Sequence, residues 1–229
     1  MTFQAIYKIT LLLVVMFFLN ACSPTQKTYR QNIDIYFSSK QDLLLTDEEV
    51  KQAPYDLVYV KNGERATATM ALGFIENGQY KWLSKDNVML VTENGRLVRT
   101  LGLDKNLVHV SALNKDPINQ IANRNFVLQQ WDRTIDTSDG DFGARLNSSF
   151  EVEYNVPLQI HEHTMTAIKV TESVNYRSVI LTENTFDNVF WYDVNTKALL
   201  KSYQYPSSTL DPIEITYISR ALRLTESAQ

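Results

Sequence analysis

Apolar and polar positions divide this chain into a short continuous apolar run at its start and a long alternating body. From Pro54 onward the body reads as strand. Asn62-Gly63, Asn77-Gly78 and Asn94-Gly95 each separate runs rich in β-branched and aromatic residues. Asn-Gly favours the type I′ hairpin turn, because both central residues need positive φ. Spacings of 15 and 17 residues between these pairs describe an antiparallel meander. A period of two puts Ala66, Ala68, Met70, Leu72 and Phe74 on one face of a strand, with Thr67 and Thr69 on the other. By the same rule Tyr80 and Trp82 share a face, as do Leu97 and Leu101.

The stretch 113–125 interrupts the alternation: Asp116-Pro117 starts a turn, and Ile118 to Ala122 reads as one helical turn. A second strand series follows. Phe126 to Asp136 is extended around Trp131, and Phe150 to Val156 alternates without a break, as a half-buried strand does. Val189 to Asp193 and Ala198 to Tyr205 form a hairpin about Asn195-Thr196-Lys197, and Ile213 to Leu222 reads as the last strand. No glycine follows Gly143, so the later turns must rest on Asn, Asp, Ser and Pro. One short helix precedes the strands. Thr46 suits its N-cap, Glu49 completes a capping box, and Pro54 ends it. The expected fold is all-β: antiparallel meanders forming a partly open barrel or sandwich, with one or two short helices. Residues 41–229 are expected to form a single β-rich domain, with two meander halves meeting near 113–125.

The apolar run at the start belongs to a different function. Met1 to Tyr7 is closed by Lys8, and Ile9 to Leu19 is apolar except for Thr10. A bilayer core needs ~20 apolar residues, so this run fits a signal-peptide core instead. Leu19-Asn20-Ala21-Cys22 follows it directly and resembles a bacterial lipobox. Cys22 is also the only cysteine of the chain and can form no internal disulfide. The resemblance implies a thioether-linked diacylglycerol on Cys22, removal of residues 1–21 as signal peptide, and acylation of the new amino terminus. Each buried methylene contributes ~0.8 kcal/mol; one acyl chain binds only marginally, whereas several on one residue hold firmly. Residues 22–40 then form the acylated end and a tether, polar through Ser23-Pro24-Thr25-Gln26-Lys27-Thr28. In enteric-type bacteria an Asp after the cysteine retains a lipoprotein at the inner membrane. Ser23 stands there, which implies the outer membrane, with the body facing the periplasm.

Charge narrows the partners further. The chain carries a formal charge of −4, and removal of residues 1–21 takes away one lysine and no acid, leaving −5. An acidic body does not suit nucleic acid, which selects for basic faces.

Several constellations have a chemical reading and a plainer one. His161-Glu162-His163 puts two imidazoles on one strand face, as a metal would require, but a third ligand is missing and solvent-facing histidines account for the pattern. Asp136, Ser138, Asp139 and Asp141 crowd around Gly140. An EF-hand loop would need Glu at position twelve, where Asn147 stands, so this is a polar turn. Glu151 and Glu153 share a strand face, whereas glycosidase carboxylates oppose each other across a sugar, ~5–9 Å apart. Trp82, Trp131 and Trp191, with twelve tyrosines, could stack on sugars, but aromatic side chains more often fill β cores. There is no nucleophile-elbow motif and no phosphate-binding glycine loop among the seven glycines. We therefore expect no catalytic residue, no cofactor and no metal.

Longer blocks carry a family resemblance. They are Leu45-Thr46-Asp47-Glu48-Glu49-Val50 with Pro54-Tyr55, Gly78-Gln79-Tyr80-Lys81-Trp82, and Thr92-Glu93-Asn94-Gly95-Arg96-Leu97-Val98-Arg99-Thr100. Lys115-Asp116-Pro117, Trp131, Trp191-Tyr192-Asp193 and Ser202-Tyr203-Gln204-Tyr205 follow in order. Together they resemble the YjbF/GfcB family of lipoproteins over essentially the whole mature chain. The resemblance implies a role in exopolysaccharide or capsule production, an antiparallel partly open barrel or sandwich, and no enzymatic activity. It also implies partners: an outer-membrane β-barrel, a soluble periplasmic protein and a polysaccharide. The main alternative is a periplasmic carrier of a lipid or other hydrophobic ligand, since open barrels hold such ligands in their mouths. One departure is visible: relatives often place a glycine in the last hairpin turn, where this chain has Asn195-Thr196-Lys197.

Overall fold

The computed structural model describes residues 44–123, 130–179 and 183–227. The expected signal segment, Cys22, the expected tether and positions 126–129 of the expected Trp131 strand lie outside the described residues. Helix α1 (Asp47–Gln52) starts from the expected capping box. The Glu49 N–H donates to Thr46 Oγ1 at 3.3 Å, and the Thr46 N–H donates to Glu49 Oε2 at 3.0 Å. The first meander is β1 (Leu57–Asn62), β2 (Ala68–Glu76), β3 (Gln79–Leu83), β4 (Met89–Glu93) and β5 (Arg96–Leu101). The second is β6 (Leu107–Val110), β7 (Trp131–Thr137), β8 (Ala144–Ile160), β9 (His163–Arg177), β10 (Asn184–Asp193), β11 (Leu199–Gln204) and β12 (Ile213–Thr216). Two 3₁₀ turns, Leu113–Lys115 and Pro117–Asn123, lie between β6 and β7.

The strands form one twelve-stranded antiparallel sheet in the order β5-β4-β3-β2-β1-β12-β11-β10-β9-β8-β7-β6. Each meander pairs strand to strand in sequence order, and the β1–β12 ladder joins the two. The all-β, antiparallel, barrel-like architecture expected from the hairpin pattern is therefore present. The two ends, β5 and β6, meet at a seam that side chains bridge. The Leu107 N–H donates to Thr100 Oγ1 at 2.9 Å, and that hydroxyl donates to Asn106 Oδ1 at 3.2 Å.

Alternation along the strands builds two cores. Val58, Val60, Met70, Trp82, Leu90, Leu97, Trp131, Phe190 and Ile215 point inward and fill the barrel. Leu57, Tyr59, Ala71, Leu83 and Leu200 point outward, where Val50 of α1 and the second helix cover them. That helix, α2 (Ile218–Ser227), corrects the expected strand Ile213 to Leu222: the strand stops at Thr216. Ile218, Ala221 and Leu222 recur at helical spacing and are all buried. Burial of a side chain the size of Ile218 or Leu222 contributes ~1.5–3 kcal/mol, enough to override the β-branched start of the segment.

Bulges account for the other differences. Asn77-Gly78 and Asn94-Gly95 have positive φ at both residues, as type I′ turns require. Asn62-Gly63 does not; only Gly63 is left-handed, and a longer loop follows to Ala68. A shift at Gly73 pairs Phe74 with Lys81, turning Phe74 off the face of Met70 and Leu72. A shift at Val98 pairs Leu97 with Thr92 and Thr100 with Leu90, so Thr100, not Leu101, follows Leu97 inward. In β8 the alternation holds through Val152, then breaks between Glu153 and Val156. Asn155 takes φ 59° there and Tyr154 is left 65 % exposed. At the last hairpin, Asp193 Oδ1 accepts from the Asn195 and Thr196 N–H groups, at 3.2 and 2.7 Å, and Lys197 takes φ 62°. Asx chemistry thus does the work of the missing glycine.

Candidate functional site

A charge on the inward phase of a strand must find a partner, because an isolated ion in an apolar interior is very costly. Two strands carry one, and a third charge enters from the start of another. Arg133 lies between inward-facing Trp131 and Ile135 in β7, and Glu172 between Val170 and Val174 in β9. Arg96 opens β5 directly after the Asn94-Gly95 turn. Asp116, between the two 3₁₀ turns, is the fourth member. None of the four is more than 6 % exposed.

Their contacts close on one another. Arg96 grips Asp116 with two bonds, Nε to Oδ2 at 2.8 Å and Nη2 to Oδ1 at 3.1 Å. Its Nη1 donates to Glu172 Oε2. Arg133 Nη1 lies 2.8 Å from Glu172 Oε1 and donates to Ser148 Oγ at 2.7 Å, and the Ser148 hydroxyl donates to the same Glu172 oxygen at 2.6 Å. Asn188 Nδ2 donates to Glu172 Oε2 at 2.9 Å, and the Ile118 N–H donates to Asp116 Oδ1 at 3.2 Å. The Trp131 ring lies 4.1 Å from the Arg133 guanidinium and 4.8 Å from that of Arg96, and Phe190 lies 4.9 Å from Arg96. Such contacts stabilise a desolvated cation by up to ~2 kcal/mol.

Burial alone would push the Glu172 carboxyl up. The charges of Arg133 and Arg96 and the bonds from Ser148 and Asn188 outweigh it and hold the group at about 2. Burial likewise pulls Arg96 down, but Asp116 and Glu172 raise it above the ordinary arginine value. Arg133 feels burial and the like charge of Arg96 against the pull of Glu172, and settles at about 10. In the quartet two arginines thus face two acids, with Glu172 held ionised at neutral pH. Every carboxylate oxygen in it is occupied, and a carboxylate so acidic is a poor general base. The arrangement therefore suits a lock better than a reacting centre. It ties β5 to β7, β9 and the 3₁₀ corner, across the seam that no ladder closes.

The sequence candidates fall elsewhere. Cys22 lies outside the described residues. His161 Nδ1 and His163 Nε2 each donate to one oxygen of Asp47, at 2.8 and 2.9 Å. Burial raises the Asp47 carboxyl, but these two bonds prevail and hold it below the usual range. The pair thus ties the β8–β9 tip to the start of α1. Among the described residues no group of three His, Cys, Asp or Glu side chains is arranged to hold a metal. The acidic loop disperses: Asp136 accepts from the Gly143 N–H at 2.8 Å, Asp139 from Thr137, and Asp141 from the Tyr176 hydroxyl. Glu153 pairs with Lys169 at 2.6 Å on the wet face of β8, which Glu151 shares. Trp82 and Trp131 are core residues; Trp191 is half-buried outside, under Lys201. The buried quartet was not anticipated from the sequence. Its signal was an arginine and a glutamate on the inward phase of two alternating strands.

Comparison with known proteins places this architecture. Residues 30–218 match the family described as group 4 capsule polysaccharide lipoprotein GfcB, YjbF. The uncharacterized lipoprotein GfcB of Escherichia coli strain K12 is 30 % identical over 214 residues, covering 92 % of this chain and 98 % of that one. The uncharacterized lipoprotein YjbF of the same organism is 34 % identical over 107 residues, 47 % of this chain and 50 % of its own length. The crystal structure of the hypothetical lipoprotein YmcC from Escherichia coli K12 superposes with a TM-score of 0.72 at 31 % identity, covering 84 % of this chain and 94 % of that one. A match over residues 30–218, most of the chain, makes this protein a member of the YjbF family of group 4 capsule polysaccharide lipoproteins.

Proposed function

We propose that this protein is a non-enzymatic outer-membrane lipoprotein, acylated on Cys22, that assists secretion or assembly of an exopolysaccharide or capsule. Its body faces the periplasm and docks to an outer-membrane β-barrel of the same system. The family match over residues 30–218 carries this reading. The lone cysteine directly after an apolar run supports the anchor. The locked quartet supports a scaffold rather than a catalyst, because its buried acids are committed to arginines. Among the described residues no helix is long and apolar enough to cross a membrane, which fits a body held by lipid. Crosslinking with mass spectrometry on the protein in its own membrane tests the docking. Capture of an outer-membrane β-barrel or a soluble periplasmic protein of the polysaccharide system is expected. Capture of neither would refute it.

A carrier of hydrophobic ligands would need a hollow interior. Trp131, Phe190, Tyr176 and Leu90, each at most 1 % exposed, fill the middle of the barrel here.

A further inference from the structure

Beside the quartet, one end of the barrel holds a pocket of about 180 Å³ that the lock does not use. Three elements build it: the β3–β4 wall (Tyr80, Trp82, Thr92), the Asn94-Gly95 turn, and the β10–β11 hairpin with the start of α2 (Tyr192, Lys197, Tyr217, Arg220). Ile118 and Asn119 line it from the 3₁₀ turn next to Asp116.

Its chemistry is that of a ligand site. Tyr80 is half-buried and stacks on Trp82 with centroids 6.3 Å apart and planes 18° from parallel; Tyr217 meets Trp82 edge-on at 5.8 Å. An aromatic wall with one ring partly open offers a surface to the apolar face of a sugar ring. Tyr192 is 4 % exposed, yet its hydroxyl has no hydrogen-bond partner among the described residues. A buried, unsatisfied hydroxyl is unusual, and a ligand oxygen that accepted from it would satisfy it.

Two cations complete the wall. Arg220 donates to the Leu199 carbonyl at 2.8 Å and lies 4.8 Å from the Tyr217 ring centroid; Lys197 donates to the Val194 carbonyl. Among the described residues neither forms an ion pair with a carboxylate. Among the described residues the two buried arginines, Arg96 and Arg133, have acidic partners, whereas the half-buried Arg220 and Lys197 bond only to carbonyls.

From this we infer that the pocket binds one sugar unit bearing an anionic group. Its ring face rests on Tyr80, its anion sits between Lys197 and Arg220, and one of its oxygens accepts from the Tyr192 hydroxyl. The inference rests on the polysaccharide reading above and names the part of the polymer that the protein would hold. A volume well below the ~300–1,000 Å³ of drug-sized sites suits a single unit of a chain, not a buried oligomer.

The test uses full-length protein in detergent and three probes: an oligogalacturonate, a neutral malto-oligosaccharide and inorganic phosphate, with binding followed by calorimetry. Oligogalacturonate should bind, more weakly at high salt. The double variant Lys197→Gln/Arg220→Gln should lose about tenfold or more of that affinity, as removal of charge-assisted bonds does. Competition by phosphate would support the anion subsite and identify a phosphate group as an equally good occupant. Tyr192→Phe separates binding from folding. Because the hydroxyl has no hydrogen-bond partner among the described residues, the variant should melt no lower than wild type, yet bind roughly three- to tenfold more weakly. Equal affinity for the neutral oligomer, wild-type binding by both variants, or binding of none of the three probes would overturn the inference. Those outcomes would leave the accessory role standing, since that role is read from polymer export by cells and not from this pocket.

Discussion

Arg96→Met tests the lock at its hub. Methionine keeps most of the side-chain length and removes the charge. Arg96 is 3 % exposed and supplies both ionic bonds to Asp116, so its loss leaves that carboxylate with the Ile118 N–H alone. Glu172 keeps Arg133, Ser148 and Asn188 and suffers less. Breaking a buried pair by removing one partner costs about 3–5 kcal/mol, chiefly from the stranded charge. For a domain of this size each kcal/mol shifts Tm by roughly 2–4 °C, so a drop of about 6–20 °C is expected. Arg99→Met, an exposed arginine on the same strand, is the control and should stay within about 0.5 kcal/mol. Adding Asp116→Leu to Arg96→Met removes the orphaned anion. The double variant should therefore recover at least ~1 kcal/mol relative to additivity, within the usual range for coupled sites. Denaturant titrations and thermal melts of five proteins, the wild type, Arg96→Met, Arg99→Met, Asp116→Leu and the double variant, decide the matter. An Arg96→Met variant as stable as the Arg99→Met control, or strictly additive changes in the double variant, would refute the idea that these charges form one unit.

Three further outcomes follow from the same structure. Glu172 folds with its carboxyl at about 2 against an ordinary 4.5, so it contributes stability above about pH 4.5 that is lost as pH falls toward 2. Glu172→Gln should be less stable at pH 7 and should flatten that acid limb in denaturant midpoints taken across it; an unchanged limb would contradict the assignment. Gly95→Val should destabilise the body more than Gly140→Val. Both glycines have positive φ, at 91° and 97°, a strain of ~1–3 kcal/mol for either variant, but a Cβ at Gly95 would also lie 2.3 Å from Leu199 Cδ2 while that at Gly140 meets open space. Equal melting temperatures, or a larger loss at Gly140, would show that the hairpin is not the constrained turn. Cys22→Ser should give an unacylated, unprocessed precursor, and a fatty-acid analogue still incorporated into it would rule out the lipobox.

What the sequence made legible was local. The capping box at Thr46, the Asn77-Gly78 and Asn94-Gly95 turns, and the shared face of Tyr80 and Trp82 depend on residues a few positions apart. The bulges at Gly73, Val98 and Tyr154-Asn155 were not legible, because partner ladders set them; each shifts the phase of an otherwise regular alternation. The helix over Ile218 to Ser227 was hidden for a related reason. Its start is β-branched, and only the outward patch of Leu57, Tyr59 and Leu200 gives its apolar side something to cover. The quartet is harder still, since Arg96 and Glu172 are 76 residues apart. Charges at inward positions of Trp131-Asp132-Arg133-Thr134-Ile135 and Val170-Thr171-Glu172-Ser173-Val174 mark it in retrospect: each needed a partner, but alternation alone could not name which. The polar pocket around Tyr192 combines three distant segments and left no local trace at all.

Polymer at the cell surface tests the central claim most directly. In a strain lacking this protein, surface-exposed polysaccharide should fall while synthesis inside the cell continues. The wild-type chain should restore it, and Cys22→Ser should not, even when its body accumulates to the same level. Unchanged surface polymer in the deletion strain, or full restoration by the unanchored variant, would contradict an anchored accessory role in polysaccharide export.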